Sequence, residues 1–343
     1  MTSLTNWIRD HQLASFYIIT FAISWGLGFS YSAVLQQDQW LLAPLLFVGA
    51  CGPALAGIIV TAASNTEPKQ GSRKAFWIAF LIAWAASALV YLAFNAFIND
   101  VSLSPAIIGL FIVAVVPVAF VISAAYSRAP AVRDYVSSLV RLRGVWGWVL
   151  LALVLLPALI LISVPVGNIL NGQPVTVHRF PDLSLSLIGL IAITFFYQIF
   201  FFNATGEETG WRGFALPRLQ ARTSPLISAL IIALFWAPWH YFFWQAEGKP
   251  VSTVQFWVGM FTGHILFSII LVWICNRARG SILVAGVAHA SANTAFAFAN
   301  LQSLDGVNLT WFVAALIMIL VDRMWKPLPA DRSLDRRLVQ LAA

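Results

Sequence analysis

Along the chain, apolar residues run in blocks of about twenty, separated by short polar or Pro/Gly-containing connections. Ten blocks can be marked, at about 13–35, 40–63, 75–98, 105–126, 145–167, 184–215, 225–244, 253–275, 281–300 and 309–325. Each has about the length that an α-helix needs to cross a hydrocarbon core of roughly 30 Å. The pattern predicts an all-α fold, a polytopic transmembrane helical bundle of about ten spans. The first block exceeds a signal-peptide core, and no small-x-small cleavage site follows it, so it reads as a retained first span. The longest connections, Ser127 to Gly144 and Asn168 to Leu183, are too short for a soluble domain. The first of them is basic enough to lie along the interface as a helix.

Composition agrees with this pattern. Of 343 residues, 60% are hydrophobic and only 10% charged, and the mean hydropathy is +0.83. A soluble domain carries roughly 25% charged residues, so this chain has too few to cover a water-facing surface. The net charge of +7 does not mark a nucleic-acid surface, because the basic residues sit in short loops between apolar blocks. With ten spans, eighteen of the twenty Lys and Arg fall on one side, and only Arg179 and Lys249 on the other. That asymmetry places both termini in the cytoplasm. Cys51 and Cys275 each lie inside an apolar block and read as small buried residues rather than a disulfide or redox pair.

Ionisable residues within spans cost roughly 2.5–3.5 kcal/mol each on insertion scales, so each requires a reason. The chain has four glutamates, and two are adjacent: Glu207 and Glu208, just after the apolar run Ile191 to Phe202. Downstream blocks carry His240, His264, His289 and Asn293. Polar residues of catalytic type therefore gather in the C-terminal half. Residues 1–183 hold helices without a diagnostic motif, 184–325 form the functional core, and 326–343 make a basic tail.

Helical geometry brings these groups toward one level. If the sixth helix runs through Arg212 to about Leu219 and turns near Arg222, Glu207 and His240 lie roughly 22 and 27 Å from that turn. Such a helix is too long for one straight span, so its start near Ser184 is expected to be interfacial or bent. Glu208 and Arg212 are four apart and share a face, which allows an ion pair. Glu207 points about 100° away and is left to take up a proton. His289 and Asn293 share one face of a helix rich in small residues, Ala285 to Ala292, that lets a neighbour approach closely. His264, mid-span without a partner at helical spacing, reads as a packing or hydrogen-bonding residue.

The order Glu207-Glu208-x-x-x-Arg212, then Trp236-x-x-x-His240, then His289-x-x-x-Asn293 resembles the CPBP intramembrane peptidases. These are relatives of the type II CAAX prenyl proteases. The resemblance covers about residues 190–300, and the string Glu207 to Leu219 looks like the common bacterial version of the first motif. Trp236 stands where the family often has Phe, an aromatic filler preserved in kind. The resemblance implies that Glu207, helped by His240, activates a water to attack a peptide carbonyl. It implies that His289 and Asn293 stabilise the oxyanion, with Glu208 and Arg212 in support and no metal or other cofactor. The expected partners are a membrane-associated or prenylated-like protein substrate and the lipid bilayer, with no nucleic acid. The expected location is the bacterial plasma membrane, with the site opening toward the cytoplasm.

Two other readings stay open. The same carboxylates and imidazoles could ligate zinc, although there is no His-Glu-x-x-His and adjacent glutamates cannot both face one ion without distortion. The carboxylates could instead bind protons or ions in a transporter or scaffold, although the N-terminal half has no counterpart to the glutamate pair.

Overall fold

A computed structural model describes residues 3–34, 43–174, 184–299, 301 and 303–328. Arg179 and the tail residues Arg332, Arg336 and Arg337 lie outside the described residues. Among those described, the architecture is all helical, with no strand. Seven helices are long and apolar enough to cross a membrane: Arg73–Phe97, Pro105–Tyr126, Trp146–Leu170, Leu185–Gln220, Pro225–Gln245, Val254–Arg277 and Asp305–Asp322. Three shorter apolar helices, Gln12–Gly28, Gly52–Ser64 and Ile282–Phe298, fall on the remaining predicted blocks. Large apolar side chains such as Leu81, Ile82, Leu89, Val154 and Leu320 point outward. A face of this kind needs lipid rather than water against it. The protein is a multi-pass integral membrane protein.

The helices in chain order are α1 (Ser3–Asp10), α2 (Gln12–Val34), α3 (Ala43–Ala50), α4 (Gly52–Ser64), α5 (Arg73–Phe97), α6 (Pro105–Ala114), α7 (Val116–Ser123) and α8 (Pro130–Val136). There follow α9 (Trp146–Leu170), α10 (Leu185–Gln198), α11 (Leu216–Gln220), α12 (Pro225–Trp239), α13 (Tyr241–Ala246), α14 (Val254–Arg277), α15 (Ile282–Phe298) and α16 (Asp305–Asp322). The second predicted block is divided, because α3 and α4 meet at Cys51 with Pro53 in the first turn of α4. Pro lacks the N–H that a continuous helix would need there. Both cysteines are buried and unpaired, as expected.

Between α10 and α11 the chain stays helical, but it widens into two π-helical stretches, Ile199–Glu208 and Trp211–Ala215. The sixth block thus runs 36 residues without a break and turns at Ala221–Arg222, as the sequence predicts. As pure α-helix it would be about 54 Å long, well beyond a bilayer core. The widened turns, whose bonds reach back five residues rather than four, are where it departs from regular α geometry. The Thr209 hydroxyl and backbone N–H both donate to the Ala204 carbonyl five residues back. The Thr205 hydroxyl donates to the Phe200 carbonyl in the same way.

The connection from 127 to 144 is partly helical. Its α8 packs inward, with Tyr135 and Val136 buried, and the Tyr135 hydroxyl donates to the Thr209 carbonyl at 2.6 Å. Burial raises the Tyr135 phenol well above its ordinary range, so it remains a donor.

Contacts gather the basic connections at one end of the bundle. Arg133 donates to the Gln70 carbonyl, and Gln70 N–H to the Arg128 carbonyl. The Arg218 guanidinium donates to Gln12 beside Arg9 and Arg222 in a hollow of about 700 Å³. Leu226 N–H donates to the Met324 carbonyl, and Arg277 Nε binds Asp322 at 2.6 Å.

Candidate active site

The site is built where the π stretch meets α12, α14 and α15. Close approach of α15 depends on Gly286, where an added Cβ would lie 2.3 Å from the Ala204 Cβ. Gly210 plays the same part against α4, since a Cβ there would meet Pro53 at 2.4 Å. The helix carrying both glutamates is thus gripped from two sides by backbone that admits no side chain.

Glu208 faces the closed side. Its Oε1 accepts from Arg212 Nη1 at 2.9 Å and from His289 Nδ1 at 2.8 Å, all three side chains being buried. Arg212 also donates to Ser268 at 3.3 Å and stacks 4.5 Å above the Trp236 ring. The Glu208–Arg212 pair predicted from their spacing is present. A buried guanidinium with aromatic and hydroxyl neighbours is the setting in which removing its carboxylate partner costs most.

Glu207 faces the other way, into a cavity of about 620 Å³. It is not left free, as the sequence led us to expect. Its Oε1 accepts from Asn203 at 3.3 Å, and its Oε2 from the Trp236 indole N–H at 2.6 Å. Trp236 is therefore a hydrogen-bond donor that Phe could not replace, not only a filler. His240 lies across the cavity wall with Nε2 at 3.6 Å from Glu207 Oε2. Its Nδ1 is 3.0 Å from the Trp236 carbonyl, which can only accept, so Nδ1 carries the ring proton. In the neutral ring, Nε2 then presents a lone pair toward Glu207.

Asn293 donates to the Asn203 carbonyl oxygen at 3.3 Å, which completes the chain Asn293–Asn203–Glu207. Asn203 was missed in the sequence, although it is the first polar residue after the apolar run and lies four before Glu207. His264 bonds the Met260 carbonyl through Nδ1 at 2.8 Å, and its ring lies 5.0 Å from that of His240. All of Glu207, Trp236, His240, His264, His289 and Asn293 line the one cavity. His289, however, is tied to Glu208 rather than to Glu207.

The end of α12 that holds His240 is braced from the N-terminal half. Trp239 Nε1 donates to Ser24 at 2.8 Å, Ser24 donates to the Gly49 carbonyl at 2.7 Å, and Trp25 Nε1 donates to the Trp239 carbonyl at 3.3 Å. The first spans carry no motif, yet they position a site residue.

The cavity lining also includes Glu247 and Lys249 after α13 and Leu304 before α16. α12 stops at Trp239, so His240 caps the end of that helix farthest from the turn at Arg222. Among the described residues, no group of three or more His, Cys, Asp or Glu is placed to hold a metal ion. Glu208 is engaged by Arg212 and His289, and Nδ1 of both His240 and His264 is engaged by carbonyls.

Residues 185–295 match the family model described as type II CAAX prenyl endopeptidase Rce1-like. Over 140 residues the chain is 29% identical to CAAX prenyl protease 2 of Methanococcus maripaludis, a stretch covering 39% of this chain and 50% of that relative. The chain thus spans about half the length of the curated relative it matches. The matched segment contains the π stretch, both glutamates and every polar residue of the cavity wall named above. Through that segment, the chain is similar to the type II CAAX prenyl endopeptidases.

Proposed function

We propose that this protein is an intramembrane peptidase in which Glu207 and His240 activate a water. The observation that carries the reading is the pair itself: a carboxylate oxygen and an imidazole lone pair facing one another across 3.6 Å at the wall of a polar-floored cavity. Both groups are acceptors, so a water between them donates one hydrogen to each and keeps its own lone pairs for an electrophile. The water oxygen bonds to the peptide carbonyl carbon while Glu207 takes its proton. Collapse of the tetrahedral adduct breaks the C–N bond, and the same proton passes to the departing nitrogen.

The adduct's oxyanion needs donors that are already aimed. The Asn293 amide spends one hydrogen on Asn203 and has a second for the cavity. His289 turns Nδ1 to Glu208 and leaves Nε2 for the cavity side. Trp236 and Asn203 fix both oxygens of Glu207, so the base does not have to be oriented at the moment of reaction. No step is assigned to a metal.

The test is cleavage of a peptide library by purified protein, with and without Glu207→Ala. Glu207-dependent cleavage supports the reading. If neither protein cleaves while liposomes show Glu207-dependent solute uptake, a transporter takes its place.

A further inference from the structure

We infer that the hollow among Arg9, Gln12, Thr61, Arg218 and Arg222 binds a phosphate group, of the kind carried by an anionic lipid headgroup or by free phosphate. It shares no lining residue with the cavity that holds Glu207, and the inference stands apart from the peptidase reading.

The junction of α1 and α2, the end of α4, α8 and the turn after α11 converge to line the hollow. Its volume is about 700 Å³. That lies within the roughly 300–1,000 Å³ usual for small-ligand sites. The charges around it are unbalanced. Three guanidiniums line it against one carboxylate, Asp10, which already stands 3.7 Å from Arg9 Nε.

Arg218 carries the argument furthest. It is only 5% exposed, yet among the described residues it has no carboxylate partner. Its Nε donates to Gln12 Oε1 at 2.8 Å and its Nη1 to the Phe214 carbonyl at 3.0 Å, both neutral acceptors. Its Cζ lies 3.6 Å over the Phe214 ring, which holds the plane of the guanidinium. Among the described residues, Nη2 has no acceptor. A buried cation without an anion is costly, and an anion in the hollow offsets that cost. The planar guanidinium presents parallel N–H groups that match two oxygens of a phosphate. Nearby, the hydroxyls of Thr61 and Ser64 have no hydrogen-bond partner within the protein. The setting says which anion is at hand. α1, which carries Arg9, turns Leu4 and Trp7 outward, 66% and 41% exposed. A short helix with an exposed indole and leucine at the start of a span suits the headgroup layer, where phosphate is the prevailing anion.

The test uses the full chain purified in detergent and reads its thermal unfolding. Dihexanoyl phosphatidylglycerol and inorganic phosphate are titrated separately at constant ionic strength, so that screening does not change. The expected result is a saturable rise in melting temperature. Arg222→Gln alters an exposed side chain and should move the midpoint of that rise at least about tenfold toward weaker binding. Lys74→Gln removes an exposed cation that does not line the hollow and should leave the midpoint unchanged. Arg218→Gln should abolish the response; if that protein does not fold, the contrast between Arg222→Gln and Lys74→Gln decides. A response to the lipid alone supports the site with a headgroup as its source. A response to inorganic phosphate supports it with free phosphate as a source. No saturable response to either overturns the inference. So does an Arg222→Gln midpoint equal to that of the wild type, an equal weakening in Lys74→Gln, or a folded Arg218→Gln protein that responds as the wild type does.

Discussion

Glu207 and Glu208 are neighbours in the chain, yet they belong to two different regions. Glu208 lies in a closed cluster where Arg212 and His289 share one of its oxygens. Glu207 lies at an open cavity, held by two neutral donors and facing a histidine lone pair. On the proposed mechanism, the same side chain is structural in one setting and reactive in the other. What differs is whether its partners carry charge and whether the space beside it admits a substrate. The Glu208 carboxylate is matched by a buried guanidinium, whereas that of Glu207 is held by an amide and an indole N–H, both neutral.

The comparison can be broken most sharply from the closed side. Glu208→Ala leaves Arg212 buried and unpaired, and should cost about 3–5 kcal/mol of stability. Thermal unfolding in detergent should register this as a large drop in melting temperature, with much of it restored by adding Arg212→Met. Little or no drop would mean that the closed cluster does not hold the fold. On the open side, Asn293→Ala removes a donor for the oxyanion and should lower kcat by about 10²–10³ with little change in KM. A rise in KM alone would move Asn293 from transition-state stabilisation to substrate binding.

A smaller effect probes how Glu207 is aimed. Trp236→Phe removes the N–H that holds Glu207 together with the pyrrole ring that carries it, so kcat should fall roughly tenfold, about 1.4 kcal/mol, with a further loss of stability from the space left in the core. Unchanged kinetics would return Trp236 to the filler role that its position in the motif implies. The smallest effect is expected from a chelator, which should leave cleavage unaltered. Loss of activity restored by zinc would bring back the metal reading.

How much of this was legible in the sequence follows from what each feature depends on. The helices were readable because lipid requires long apolar runs, and Glu207, Glu208, Arg212, His289 and Asn293 stood out because charge and amide are rare within them. The Glu208–Arg212 pair followed from spacing, since it lies on one helix. The π stretches were not readable, because Thr205, Thr209 and the Tyr135 hydroxyl act through carbonyls that only the folded helix offers. Trp236 was taken as a filler because an indole in an apolar block packs far more often than it binds a carboxylate. Ser24 and Trp239, 215 residues apart, have no local signature at all.

The most direct measurement is single-turnover cleavage by purified Glu207→Gln, paired with its thermal unfolding. Gln retains the shape and accepts one hydrogen bond but cannot act as a base. The account predicts unfolding close to that of the wild type and a cleavage rate lower by about 10²–10⁴. A folded Glu207→Gln protein that cleaves at the wild-type rate would contradict it.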